Sequence, residues 1–268
     1  MRLFHYTNGA ALLNIIKHQK LWLTHINYLN DTSEFIHGLD IIGCHVNKMI
    51  DDEKIREELH LIKEKSSNLI DYYICSFSTV PDLLSQWRGY CPLNGGYAIE
   101  FDHELLIRGM GEYYSLNQCI YTEHEKQEKA STKVLNNKEK LYNSYSKYGE
   151  NDHKIDFFIH ALAMFSIATY FKNESFKEEA EYRLTTLETS FIQKNLMMFR
   201  EKKGVLIPYI EEKFDHNAIK SVWVGPMRDQ DLAEKSIEML FKSLKNGDGD
   251  LIYKEMPKIK KSKIPYKA

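Results

Sequence analysis

Three stretches of this chain carry side chains whose chemistry could combine. The first is Phe4-His5-Tyr6-Thr7, a histidine in a short apolar run followed by a hydroxyl and then by a helix. A histidine at a strand end, beside a helix N-terminus, is placed to hold the hydroxyls or phosphates of a ligand. The same pattern also fits an ordinary half-buried histidine. The second stretch, Tyr72 to Ser78, reads as a buried strand that ends on the small hydroxyl residues Ser76 and Ser78. The third, Glu178 to Leu187, reads as a strand too. Residues two apart share a face, so Glu179, Glu181 and Arg183 line one side and Ala180, Tyr182 and Leu184 the other. Two carboxylates and a guanidinium in a row, backed by apolar residues, make either a site wall or an edge strand that shows its charges to water.

The elements that must position these residues follow from periodicity. Thr7 can cap a helix with Leu12, Ile15 and Ile16 on one face, which gives way at Lys20 to a strand over Leu21–Thr24. Asn30-Asp31 is turn chemistry, and Asp31 can cap a helix lined by Phe35, Leu39, Ile42, Val46 and Met49. A more charged helix runs from Asp51 to Leu69. After the strand Tyr72–Ser78, Pro81 opens a short helix with Leu83, Leu84 and Trp87. Gly95-Gly96 turns into a strand at Tyr97–Phe101, and alternation continues through Tyr114, Leu116, Gln118 and Ile120. From Glu123 to Asp156 the chain is rich in Lys, Glu, Asn and Ser and reads as one or two solvated helices. A buried helix follows over Phe157–Phe171. Leu196–Arg200 and Val205–Ile210 flank Lys202-Lys203-Gly204 as a hairpin, in which Pro208 suggests an edge position. A strand over Ala218–Val224 and a helix over Asp231–Leu244 precede a lysine-rich tail, Leu251–Ala268, that could form a last strand with a basic outer face.

Composition narrows the class. The 268 residues can bury a large core, and 36 Lys+Arg against 38 Asp+Glu set up no global field that demands a nucleic-acid partner. Cys44, Cys75, Cys91 and Cys119 are scattered, without C-x-x-C spacing or histidines at zinc-finger intervals, which reads as reduced cysteines in a cytoplasmic protein without a structural metal. No signal-peptide core and no apolar stretch of membrane-spanning length is visible. P-loop, G-x-G-x-x-G, G-x-S-x-G and H-E-x-x-H patterns are absent, so the familiar nucleotide-binding and hydrolase readings have no support.

His5-Tyr6-Thr7, Trp22-Leu23-Thr24 and Asn30-Asp31 resemble the opening of the bacterial family DUF2971. The resemblance continues in Cys75-Ser76-Phe77-Ser78, Leu84-Ser85-Gln86-Trp87-Arg88-Gly89-Tyr90 and Gly96-Tyr97-Ala98-Ile99-Glu100-Phe101-Asp102. It resumes in Glu179-Ala180-Glu181-Tyr182-Arg183-Leu184, Pro208-Tyr209-Ile210, Val224-Gly225-Pro226 and Ser262-Lys263-Ile264-Pro265-Tyr266. That family in turn looks like a distant branch of the ADP-ribosyltransferase fold shared by DarT-type toxins and poly-ADP-ribose polymerases. The resemblance implies one α+β domain over residues 1–268, with a split mixed or antiparallel sheet and a Lys/Glu-rich helical insertion at about 123–171. Tyr6 stands where polymerase-like members carry glycine.

The implied activity is NAD-dependent ADP-ribosyl transfer, with NAD as co-substrate, in a bacterial toxin or phage-defence effector. Glu181 would stabilise the oxocarbenium-like ribosyl centre through the ribose hydroxyl, and Glu179 would orient or deprotonate the acceptor. His5 would fix the other ribose, completed by Thr7 or Ser76. Tyr28, Trp87 or Tyr90 could stack on a ring, or simply belong to the core. Arg183 would neutralise pyrophosphate or pair with a glutamate. Tyr6, Asn30, Asp31 and Ser78 fall in the same implied cofactor-binding set. For the acceptor, lysines from Lys254 to Lys267 with the Lys202-Lys203 turn point to RNA or DNA, and the E-x-E pair points to a protein arginine. An NAD glycohydrolase and a catalytically silent nucleotide- or nucleic-acid-binding module remain as alternatives, and an antitoxin or chaperone is a further implied partner.

Overall fold

In the computed structural model, described over residues 1–29, 32–66, 71–111, 113–147, 151–188, 197–202, 204–245, 252–253 and 255–265, the sheet divides about one strand, β3 (Asp71–Ser78). Its aromatic and β-branched run suits a strand buried on both faces. Along one edge, β3 pairs over its whole length with β6 (Glu181–Glu188), from Asp71↔Glu188 to Ser78↔Glu181. Two strands share the other edge. β1 (Arg2–Thr7) meets β3 only at Phe4↔Ser78, and β2 (Lys20–His25) only at Thr24↔Ile74 and His25↔Tyr73. Between them Cys75, Ser76 and Phe77 face a gap in the ladder. The sheet is therefore split.

The remaining strands extend both halves into a ten-stranded mixed sheet. β1 continues through β4 (Tyr97–Asp102) and β9 (Ile219–Val224) to the edge strand β10 (Lys258–Lys261), which is parallel to β9. β2 continues through β8 (Val205–Lys213) to the edge strand β7 (Met198–Lys202), and β5 (Tyr114–Gln118) lies outside β6. Pro208 falls where β8 has β7 beside it but not yet β2, so its missing N–H costs no ladder bond.

Helices cover the sheet with two apolar layers. Leu12, Ile15 and Ile16 of α1 (Gly9–His18), Leu106 of α5 (His103–Ile107), and Ile237 and Phe241 of α8 (Gln230–Ser243) join Leu3, Phe77, Ile99 and Leu184 in one cluster. The second cluster holds α2 (Thr32–Met49), α3 (Glu53–Ser66), α6 (Glu123–Ser146) and α7 (Asn151–Phe165) together around Tyr72 and Ile74. The Lys/Glu-rich stretch is thus solvated on one face only: Ala130, Val134 and Leu141 of α6 are fully buried, and a Thr122–Glu125 capping box starts the helix. Sheet and helices together make an α+β fold, and no described helix is long and apolar enough to cross a membrane.

Four local expectations are corrected. Asn8, not Thr7, caps α1, its side-chain oxygen accepting the Ala11 N–H at 2.8 Å; Thr7 stays in β1. Pro81 precedes α4 (Leu84–Tyr90) by a turn rather than opening it. The apolar helix ends at Phe165 and tightens to a 3₁₀ turn over Ser166–Tyr170, which leads to Lys172. Gly38 of α2 fits against that turn, where a Cβ would stand 2.9 Å from the Cβ of Ala168. Finally, Glu179 is not on the strand: it ends a 3₁₀ turn over Glu174–Glu179, and Ala180 breaks the chain with φ 42° before β6 begins at Glu181. That left-handed alanine costs on the order of 1 kcal/mol, so its surroundings must hold it there.

Candidate functional site

The gap in the ladder opens into a cleft of about 820 Å³. His5 and Thr7 of β1, Lys20 and Trp22 of β2, Cys75 and Ser76 of β3, and Glu181 of β6 with Glu179 line it. Gln86 and Tyr90 of α4 and Arg200, Lys202 and Glu211 of the β7–β8 hairpin complete the wall. By pairing register (Phe4↔Ser78↔Glu181), Glu181 shares a side with Phe4, and His5 points to the opposite side of the sheet. Both nevertheless reach the same cleft, because it passes through the split.

His5 Nδ1 lies 2.9 Å from the Ser76 carbonyl oxygen. A carbonyl only accepts, so Nδ1 carries the hydrogen. Desolvation lowers the His5 pKa from 6.5; the Ser76 bond opposes this in part and Arg200 adds to it, leaving the ring neutral near pH 7. Nε2 then has a free lone pair. Cys75, 3.8 Å from the same ring, is pushed up to about 12 by burial and remains a thiol, which argues against a thiolate nucleophile.

Glu181 is 4% exposed. Lys172, itself 1% exposed, reaches Glu179 and Glu181 at 2.5 Å each, and Arg183 Nε donates to Glu181 at 2.9 Å. Arg183 also donates to the Thr169 carbonyl, and the Glu181 N–H donates to the Tyr121 hydroxyl, both at 2.8 Å. Burial would raise the Glu181 pKa, but Arg183 and Lys172 outweigh it and hold the carboxyl at about 2. Burial would likewise lower the Lys172 pKa, and Glu181 and Glu179 raise it instead. The result is a fixed, ionised carboxylate at the cleft wall: a hydrogen-bond acceptor and a local negative charge, not a proton store near neutral pH.

Other expected residues separate into two groups. Thr7, Ser76 and Tyr90 line the cleft. Tyr6 touches it, but its hydroxyl is used internally, donating to the Val80 carbonyl at 2.7 Å and accepting from the Leu83 N–H at 3.2 Å. Ser78 is 1% exposed and donates to the Glu179 carbonyl at 2.7 Å, so it anchors the turn before β6 instead of meeting a ligand. Trp87 is core: it packs edge-on against Tyr6 and its indole N–H is held by Asp82. Arg183 belongs to the Glu181 clamp and does not line the cleft. Asn30 and Asp31, with Lys203, Lys254, Tyr266 and Lys267, lie outside the described residues.

Among the described residues the tail lysines and Lys202 do not make one basic patch. β10, which carries Lys258, Lys260 and Lys261, and β7, which ends on Lys202, are the two ends of the strand path, on opposite sides of β3. Lys260 binds the buried Glu100 at 3.0 Å and Lys261 binds Asp231 and Glu234 at 2.7 and 3.0 Å.

Three residues in the site were not expected. Lys172 is the cation shared by both glutamates, and its sequence signal is a lone charge closing an apolar run. Arg200 donates to the Thr24 hydroxyl at 2.7 Å and lies over the rings of Trp22 and Tyr209 at 5.4 and 5.6 Å. Trp22 is held in turn by Glu211 at 3.0 Å, which also pairs with Lys20. Gln86 sits inside the resembling Leu84–Tyr90 segment, where only its neighbour Trp87 stood out.

Residues 86–184 match the family model DUF2971, described as a protein of unknown function, which supports the resemblance read from the sequence motifs. No curated protein and no solved structure matches the chain.

Proposed function

We propose that this protein is an NAD-dependent ADP-ribosyltransferase whose site is the cleft at the split in the sheet. The observation that carries this is the convergence of the neutral His5 and the ionised Glu181, 176 positions apart in the sequence, on one cavity of about 820 Å³. Cleaving the nicotinamide–ribose bond sends its electron pair to the pyridinium nitrogen and leaves positive charge on the ribosyl carbon. A carboxylate hydrogen-bonded to the adjacent ribose hydroxyl stabilises that charge, and Glu181 is fixed to do so. The acceptor nucleophile then bonds to the ribosyl carbon and gives up its proton, for which Glu179 is the nearby carboxylate. His5 Nε2 accepts from a hydroxyl of the other ribose, with Thr7 and Ser76 beside it. Arg200, which lines the cleft, faces the phosphates, and Arg183 stays bound to Glu181.

The acceptor in this reading is a nucleic acid, approaching over Lys20, Arg200 and Lys202, and the cellular role is that of a toxin or phage-defence effector in the cytoplasm. A protein arginine or water is the competing acceptor. The clamp of two cations on Glu181 favours a second reading, a nucleotide-binding module without turnover, because it offsets the negative charge that catalysis requires. Incubation of the full chain with NAD labelled in the adenylate and a bacterial lysate, followed by nuclease or protease, separates these. Label transferred to nucleic acid supports the proposal. Label only in protein changes the acceptor, free ADP-ribose indicates hydrolysis, and bound but unchanged NAD indicates the silent module.

A further inference from the structure

Helix α4 turns two side chains into the cleft, Gln86 and, one helical turn on, Tyr90. Gln86 is 6% exposed. Its carboxamide makes no hydrogen bond to the protein among the described residues, and its polar atoms are not sealed from the cleft. Its neighbours behave differently: the Trp87 indole N–H is bonded to Asp82, and the Tyr6 hydroxyl is bonded on both sides. A nine-tenths buried amide offers two donors and an acceptor, and such groups are rarely left without partners. The Leu83 N–H just before α4 donates to the Tyr6 hydroxyl, and Tyr6 shares with Phe4 the side of the sheet that Glu181 faces, so this face of α4 lies on the Glu181 side of the cleft.

We propose that Gln86 is a specificity-determining contact for a ligand carboxamide, pairing with it amide to amide, with Tyr90 beside the ring that bears it. This rests on the NAD reading, in which the group next to Glu181 is the leaving nicotinamide. Its carboxamide presents one donor and one acceptor side by side, the complement of a glutamine. A carboxylate in that place would offer acceptors only and leave the Gln86 carbonyl without a donor.

Equilibrium binding by the full chain tests this with three ligands: NAD, its nicotinic acid analogue, and its hypoxanthine analogue, which alters the other base. The wild-type chain should bind NAD about tenfold or more tightly than the nicotinic acid analogue. Gln86→Ala and Gln86→Leu should bring that ratio close to one and leave the ratio between NAD and the hypoxanthine analogue unchanged. Because the amide has no protein partner, Gln86→Leu, which keeps most of the side-chain volume, should hold the wild-type thermal midpoint; Gln86→Ala also removes buried methylenes and is compared for selectivity. NAD binding without discrimination in the wild type, or discrimination that survives in both variants, overturns the assignment and leaves the NAD reading standing. Variants that lose selectivity at adenine instead place Gln86 at the other base. If the wild type binds none of the three ligands, the NAD reading falls and this inference with it.

Discussion

The His5 ring stands where a strand is missing. Its Nδ1, 2.9 Å from the Ser76 carbonyl oxygen, supplies a hydrogen bond on the edge of β3 that neither β1 nor β2 reaches. One nitrogen thus keeps the split satisfied and leaves the other for the cleft. His5→Ala should cost about 1–3 kcal/mol of stability by orphaning that carbonyl, in addition to weakening NAD binding. Urea titration checks the first effect. A variant as stable as wild type would mean that the bond does not support the fold.

The same histidine gives the protein an acid-sensitive window. In the unfolded chain His5 titrates near 6.5, and in the fold its pKa is lower, so the unfolded state takes up the proton first. Stability therefore falls as pH drops below 6.5 and is level above it. Glu181 adds a second loss between 4.5 and about 2, since its folded pKa is depressed. Thermal midpoints between pH 7.5 and 5 should decline for wild type, and His5→Gln should flatten the decline.

Lys172 reaches both Glu179 and Glu181 at 2.5 Å. Lys172→Met keeps most of the volume but leaves Glu181 buried with Arg183 as its remaining charge partner in the clamp. The expected loss is about 3–5 kcal/mol, since breaking a buried pair on one side leaves an uncompensated charge. Denaturant midpoints measure it, and a change below about 1 kcal/mol would show that the clamp is not structural.

Much of the architecture was legible, for reasons the residues make plain. Tyr72–Ser78 and Tyr97–Phe101 are aromatic and β-branched runs bounded by turn residues, and Leu12, Ile15 and Ile16 have helical spacing. Thr7 and Asn8 are adjacent and both cap-capable, so periodicity alone could not choose between them. By its sequence Glu179 reads as strand, because Glu-Glu-Ala-Glu contains no glycine or proline to mark the left-handed break at Ala180. The split in the sheet, and the reach of Arg200 to Thr24 across 176 residues, depend on which strands become neighbours. No local pattern encodes that.

The basic tail offers a separate test of where the acceptor lies. Lys260 neutralises Glu100, which is 2% exposed and also meets Arg2 at 3.2 Å. Lys260→Glu should therefore destabilise the fold, by about 3 kcal/mol, whatever it does to activity. Lys258→Glu is exposed on the edge strand and should change neither stability nor labelling. Lys202→Glu, at the cleft, should weaken labelling of a nucleic acid and reduce its salt dependence. Equal losses of labelling from Lys202→Glu and Lys258→Glu would return the acceptor to the tail.

Glu181→Gln is the direct test of the chemistry, and the clamp decides how it must be read. The substitution keeps the shape of the side chain and removes the charge that would face the ribosyl centre, so transfer should fall by about 10²-fold or more. It also leaves Lys172 and Arg183 buried with less counter-charge, so a loss of activity could reflect a loosened fold. The double variant Lys172→Met with Glu181→Gln resolves this, because it removes one cation together with the carboxylate. If the pair is coupled, the double variant should be more stable than the sum of the two single losses, by an interaction energy of about 1–3 kcal/mol. Transfer should stay abolished even where stability is restored. Activity that returns with stability would show that Glu181 holds the cleft together without taking part in the reaction.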